Sequence, residues 1–287
     1  MEINAILGKK LIAAQFPQWE NLSITAVEKS GWDNRTFHLG KDMTIRIPSD
    51  EEYAPQILKE YQWLPKLAKG ITTCQITTPM ALGQPCEFYP WHWSINHWIE
   101  GETASIESIR DLNQFARELA LFLTEFQSIE STDGPAAGIH NFYRGGDLSV
   151  YNDDLRLAIP KITNINEQEI AEQLWAKALS SRWEKNPIWV HGDIAVGNIL
   201  VKKGKLAAVI DFGQLAIGDP ACDLAIAWNF FTGESRKIFK ESISVDKNTW
   251  IRALGWAFWK TLCWPVKGTD VKRILSDIYQ EYRTLYC

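Results

Sequence analysis

Five cysteines are too few and too scattered to staple this chain together. Cys74, Cys86, Cys222, Cys263 and Cys287 form no close pair. A disulfide framework or a zinc ribbon needs paired spacings, so reduced thiols in a cytoplasmic setting are expected. A basic surplus is missing as well: 30 Lys and Arg stand against 35 Asp and Glu, for a net charge of -5. A nucleic-acid binder normally carries a basic stripe, so no nucleic-acid partner is expected. The mild acidic excess reads as solubility before it reads as affinity for a cation. No apolar run approaches the roughly 18 residues of a membrane span. The N-terminal Met-Glu-Ile-Asn-Ala-Ile-Leu-Gly lacks the basic-then-apolar order of a signal peptide. Neither a membrane partner nor an internal repeat is expected.

What is present is an ordinary globular composition, 46% apolar and 23% charged over 287 residues, enough for a sizeable core. The 14 tryptophans are the exception. Trp91, Trp93 and Trp98 cluster, as do Trp250, Trp256, Trp259 and Trp264, and core packing between elements is the expected use. The first hundred residues mix short strands (22–27, 36–39, 43–47, 94–99) with one helix that opens at Ser49 or Pro55. That helix carries Ile57, Leu58, Tyr61 and Leu64 on one face, and Pro65 distorts or ends it. Glu100-Gly101-Glu102 breaks the last strand and sets a lobe boundary. Beyond it, the spacing predicts helices over 109–129, 167–179, 219–231 and 250–264 and at the C-terminus.

One β-rich island interrupts the helical half. It reads Val190-His191-Gly192-Asp193, then Asn198 five residues after that Asp, then an apolar hairpin turning at Lys203-Gly204. Asp211-Phe212-Gly213 follows, then Gly218-Asp219-Pro220-Ala221-Cys222-Asp223. Phosphoryl transfer needs a cation held by oxygen ligands and a nucleophile aimed at phosphorus. Magnesium is satisfied by one or two carboxylates with amide oxygen and water. Asp193 would orient the acceptor hydroxyl and take its proton. Asn198 and Asp211 would hold the metal. His191 is expected to brace the loop rather than act as a base.

The segment from His191 to Ala225 resembles the signature of the aminoglycoside phosphotransferase family, whose relatives include macrolide phosphotransferases and choline and fructosamine kinases. The resemblance implies an α+β, bilobal, protein-kinase-like fold. An antiparallel-sheet lobe with one main helix, 1–100, would bind nucleotide, and a larger, mostly helical lobe, 101–287, would carry the catalytic loop. It implies an enzyme using Mg2+ with ATP or GTP as co-substrate. Ser30 and Asn34 would lie in the loop over the phosphates, and the His97 and Ile99 backbones would meet the base. Asp219 and Asp223 would brace loops or cap a helix. Arg46, paired with Glu60, stands where such kinases carry lysine; a nucleotide role and a surface salt bridge are both open. Only Gly31 marks the phosphate loop, and no Ala-Pro-Glu follows Asp-Phe-Gly, so a protein substrate is not expected.

The implied acceptor is a small hydroxylated molecule. Asn141, Arg144, Asp147, Asp153, Asp154, Trp228 and Asn229 are candidate lining residues. An aminoglycoside would call for several carboxylates and a macrolide for aromatic walls. A metabolic kinase for a sugar, amine or amino-alcohol is an alternative. So is a nucleotide-binding interaction module that has lost catalysis, an idea Arg46 motivates.

Overall fold

A computed structural model describes residues 2–27, 31, 33–265 and 270–286. Ser30, the phosphate-loop candidate, lies outside them. Helix α1 (Ala5–Gln15) starts at Asn4, whose side chain accepts the Ile6 and Leu7 amides. Strands β1 (Ile24–Ala26), β2 (Asn34–Leu39) and β3 (Met43–Pro48) follow, then α2 (Ala54–Leu67), β4 (Gln75–Ile76), β5 (Pro79–Gly83) and β6 (Trp93–His97). The first sheet is antiparallel in the order β1-β2-β3-β6-β5.

Alternation along these strands sorts the residues into two faces. Phe37, Leu39, Ile45, Ile47, Trp93 and Ile95 point into a small core closed by Leu7, Leu11 and Ile12 of α1. The other face carries Thr36, Arg46 and Ser94 in one row and His38, Thr44 and Asn96 in the next. A strand that packs a core on one side must offer its remaining side chains elsewhere; here they face a cleft. Trp93 fits only because its cross-strand partner is Gly83, where an added Cβ would fall 1.9 Å from the indole.

Helix α2 begins at the Pro55 end. Asp50 caps a preceding 3-10 turn, while Ser49 donates to the Asp33 carbonyl. Its buried face is Ile57, Glu60, Trp63, Leu64 and Leu67. Leu58 and Tyr61, expected inside, are 42% and 41% exposed. The rotation observed buries Glu60, which pairs with Arg46, together with Ile57, Trp63, Leu64 and Leu67.

Strand β7 (Glu102–Thr103) leads to α3 (Leu112–Ser128), which Asp111 caps, then α4 (Asn152–Ala158) and α5 (Ile165–Leu179). Strands β8 (Ile188–Val190), β9 (Ile199–Lys202), β10 (Lys205–Val209) and β11 (Ala216–Gly218) come next. Helices α6 (Ala221–Leu224), α7 (Ile226–Asn229), α8 (Gly233–Glu241), α9 (Lys247–Cys263) and α10 (Val271–Tyr286) complete the chain. The stretch read as one helix over 219–231 is two single-turn helices. A second sheet has the order β4-β10-β9-β7, and β8 pairs with β11. The large core joins Trp63, Leu64 and Leu67 of α2 to Phe115, Phe122, Phe126, Leu174, Trp189, Phe212, Leu254 and Ile278. The fold is the expected α+β arrangement: an antiparallel sheet with one main helix, beside a mostly helical region. None of the described helices is long and apolar enough to cross a membrane.

Tryptophan use follows expectation at Trp93, Trp256 and Trp259, all buried. Trp98 instead lines the cleft beside His38, ring centroids 4.4 Å apart, and Trp264 is exposed.

Candidate active site

The hairpin β9–β10 turns at Lys203 and Gly204, both with positive φ, the geometry of a two-residue turn that suits twisted strands. It brings the start of β9 beside the end of β10, so Asn198 and Asp211 become neighbours; the Ile210 amide donates to the Asn198 carbonyl at 2.9 Å. Asp211 leaves the strand in the left-handed region, φ 62°, which tilts its carboxylate away from the strand's own line. Gly192, φ +83°, turns the chain after β8; a Cβ there would lie 2.6 Å from the Gln214 carbonyl.

The loop between is held from below. Asp223, fully buried, accepts the His191 and Gly192 amides at 2.8 Å each. The His191 ring is buried against Phe212, bonded to the Ile210 carbonyl through Nε2 at 3.0 Å and to the Asp193 amide through Nδ1 at 3.2 Å. With both ring nitrogens used, it braces the loop. Asp219 caps the Ala221 amide and takes Arg252 Nε at 2.6 Å. Arg252 and Asp219 are 3% and 6% exposed. Breaking a buried pair by removing one partner costs about 3–5 kcal/mol. Arg252→Leu should therefore lower the unfolding free energy by about that much in urea titration, and Asp219→Leu in the same background should recover part of it.

Asn198 Nδ2 donates to the Asp193 carbonyl and to Oδ2, at 2.9 and 3.0 Å. This fixes the amide so that its oxygen has no protein partner among the described residues. Asp211 accepts Arg46 Nη2 on Oδ1 at 2.7 Å, which leaves Oδ2 open among the described residues. One carboxylate oxygen and one amide oxygen in one cleft fit magnesium, which completes its shell with water and phosphate. Among the described residues no group of three His, Cys, Asp or Glu offers a competing metal cage.

Arg46 Nη1 donates to both Glu60 oxygens, at 2.8 and 2.7 Å. Burial pushes the Glu60 carboxyl up, and the Arg46 charge opposes it. Burial works against the Arg46 charge, but Glu60 and Asp211 more than offset it and raise its pKa. The pair is buried, so the surface-salt-bridge alternative is excluded. Asn34, Thr36, Arg46, Asn96, His97, Ile99, Asn198 and Asp211 all line one cleft of about 850 Å³. The His97 amide is engaged by the Thr78 carbonyl at 3.4 Å. The Ile99 amide has no hydrogen-bond partner among the described residues.

A sequence profile of the phosphotransferase enzyme family matches residues 23–256. The chain belongs to that family. An aminoglycoside 3'-phosphotransferase of Escherichia coli is 30% identical over 142 residues, which are 48% of this chain and 52% of that protein. A second Escherichia coli aminoglycoside 3'-phosphotransferase is 38% identical over 60 residues, 21% of this chain and 22% of that protein. The chain thus spans about half, or less, of the curated relatives it matches. The fold is similar over almost its whole length to the GDP complex of aminoglycoside 2'-phosphotransferase-IIIa (TM-score 0.75, 16% identity, 98% of this chain and 99% of that one). It is similar also to a macrolide 2'-phosphotransferase from Brachybacterium faecium (TM-score 0.60, 16% identity, 90% and 88%).

Sequence reasoning missed one residue of this family member's candidate centre. Lys260, on α9, donates to Asp193 Oδ1 at 2.6 Å. Burial raises the Asp193 carboxyl, but the Lys260 charge and hydrogen bond, with Arg144 behind them, bring it down to about 2. The signal was available. Between Thr249 and Cys263, α9 is almost wholly apolar, and Arg252 and Lys260 are its only charged residues. A charge on such a helix needs a partner, and the two partners are Asp219 and Asp193.

Several candidate acceptor residues turn out to be structural. Asn141 is fully buried and bonds the Arg144 and Gln214 carbonyls. Trp228 is buried and donates to Glu281, and Asn229 donates to Thr261. Arg144 packs against Gly192 of the Asp193 loop.

Proposed function

We propose that this chain transfers the γ-phosphoryl group of Mg-ATP or Mg-GTP to a hydroxyl of a small molecule. The observation that carries this is the convergence of Asn198, Asp211 and Arg46 on one cleft large enough for a nucleotide, with Asp193 hydrogen-bonded to Asn198 beside it. The hydroxyl oxygen bonds to the γ-phosphorus as the bond to the β–γ bridging oxygen breaks, and the hydroxyl proton passes to the Asp193 carboxylate. Asn198 holds Asp193 in place while facing its own oxygen toward the phosphates. Magnesium at Asn198 and Asp211 would neutralise charge on the phosphate oxygens. Residues 1–100 supply the base and phosphate contacts through Asn34, Arg46 and the His97 and Ile99 backbones, and residues 101–287 supply the acceptor site.

Relatives point to antibiotic acceptors: one similar fold is solved with GDP and kanamycin, another is a macrolide phosphotransferase. A second reading, a kinase for a hydroxylated metabolite, draws support from the two cations beside Asp193, which suit an aminoglycoside's ammonium groups poorly. EDTA should abolish nucleotide turnover, and added Mg2+ should restore it. Mass spectrometry of pooled hydroxylated compounds with each Mg-nucleotide should reveal one product heavier by a single phosphate. Turnover that persists without divalent cation would remove Asn198 and Asp211 from the metal role.

A further inference from the structure

Arg144 is a half-buried cation with no carboxylate partner among the described residues. Its guanidinium lies 4.5 Å from the Trp259 ring centre, 5.4 Å from Trp256 and 5.5 Å from Tyr151. The three rings hold its face. Among the described residues only Nε has a protein partner, the Gln214 Oε1 at 3.2 Å. Both terminal nitrogens are left to donate. The residue packs directly on the loop that carries Asp193, since a Cβ on Gly192 would meet the Arg144 Cβ at 3.0 Å. On the same side Lys260 sits on Asp193.

The acidic side chains of the neighbouring elements are already engaged. Asp147 caps its own turn at the Ser149 amide. Asp153 pairs with Arg156, and Asp154 accepts the Trp259 indole at 2.9 Å. Asp219 is held by Arg252, Asp277 by Arg236 and Arg273, and Glu281 by Lys240. Asp193 has two cations beside it, Lys260 in direct contact and Arg144 behind it.

We infer that the acceptor carries an oxyanion, a carboxylate or a phosphate, which the Arg144 fork receives while the acceptor's hydroxyl faces Asp193. This rests on the phosphotransfer reading and names its substrate class. A planar guanidinium packed among aromatic rings is restrained before the ligand arrives and offers paired donors to two oxygens. Polycationic aminoglycosides would meet repulsion at the same place.

The test uses the full chain with Mg-ATP and Mg-GTP and three acceptor sets: hydroxycarboxylic acids and sugar phosphates, neutral sugars and polyols, and aminoglycosides. Phosphate gain is read by mass spectrometry and kcat/KM by coupled assay. An anionic acceptor should exceed every neutral or cationic one by about tenfold, the equivalent of one charge-assisted contact. Its identity separates carboxylate from phosphate. Arg144→Gln should raise KM for that acceptor and reduce the anionic preference about tenfold, and Arg144→Lys should restore part of it. Preference for a cationic or neutral acceptor overturns the inference, as does a ratio that Arg144→Gln leaves unmoved. Nucleotide hydrolysis with no transfer to any anionic acceptor overturns it while the phosphotransfer reading stands. Absence of both hydrolysis and transfer overturns the two together.

Discussion

Asp193→Ala will cut acceptor phosphorylation by about 100- to 10,000-fold, the range that positioned general-base catalysis contributes. The side chain is held from both sides, by Lys260 on Oδ1 and by Asn198 on Oδ2. It is also ionised well below neutral pH, so it is ready to receive a proton without a preceding titration. Because the proposed metal and phosphate contacts lie on other residues, KM for nucleotide should change little, and kcat should carry the loss. Rapid-quench or steady-state kinetics with any accepted alcohol measures this. Near-full activity in the variant would remove Asp193 from the base role, and tight nucleotide binding with no turnover in the unmodified chain would favour an interaction module.

Arg46→Met will be strongly destabilising as well as inactive. Glu60 is 1% exposed, and Arg46 is its only ion-pair partner among the described residues. Removing the guanidinium leaves a carboxylate buried without compensation, a loss of about 3–5 kcal/mol. Burial then acts without that opposing charge on Glu60, raising its pKa further. A proton taken up in the folded state recovers part of the loss, so the defect should shrink as pH falls toward the acid range and grow as pH rises. Denaturant titrations at several pH values read that slope. The double variant Arg46→Met, Glu60→Met separates the two effects, since replacing both partners by apolar groups of similar volume restores stability. It should remain deficient in nucleotide affinity, because the charge facing the cleft is still absent. A double variant that regained both would reduce Arg46 to a structural role.

The candidate centre was legible because its parts lie close in sequence. Asp193, Asn198 and Asp211 fall on one loop and one hairpin, and a hairpin's register is set locally by its turn. Arg46 and Glu60 were readable through the family resemblance, which pairs a cation on the third strand with a glutamate on the next helix. The rotation of α2 was not readable. Periodicity favoured Leu58 and Tyr61, and only the distant cleft makes Glu60 the residue worth burying. Lys260 and Arg144 are far from Asp193 along the chain; the apolar helix around Lys260 signals that the charge needs a partner, but no local pattern says which one.

The family resemblance implied the α+β class and the bracing roles of Asp219 and Asp223, while residue chemistry and short-range spacing pointed to the candidate metal-binding and base residues and to the bracing role of His191. The tertiary structure alone decided that two cations border Asp193, that Asn141 and Trp228 are packing residues, and that the Arg46 pair is buried. Those outcomes depend on which surfaces exclude water from one another, and water exclusion is a property of the packed chain.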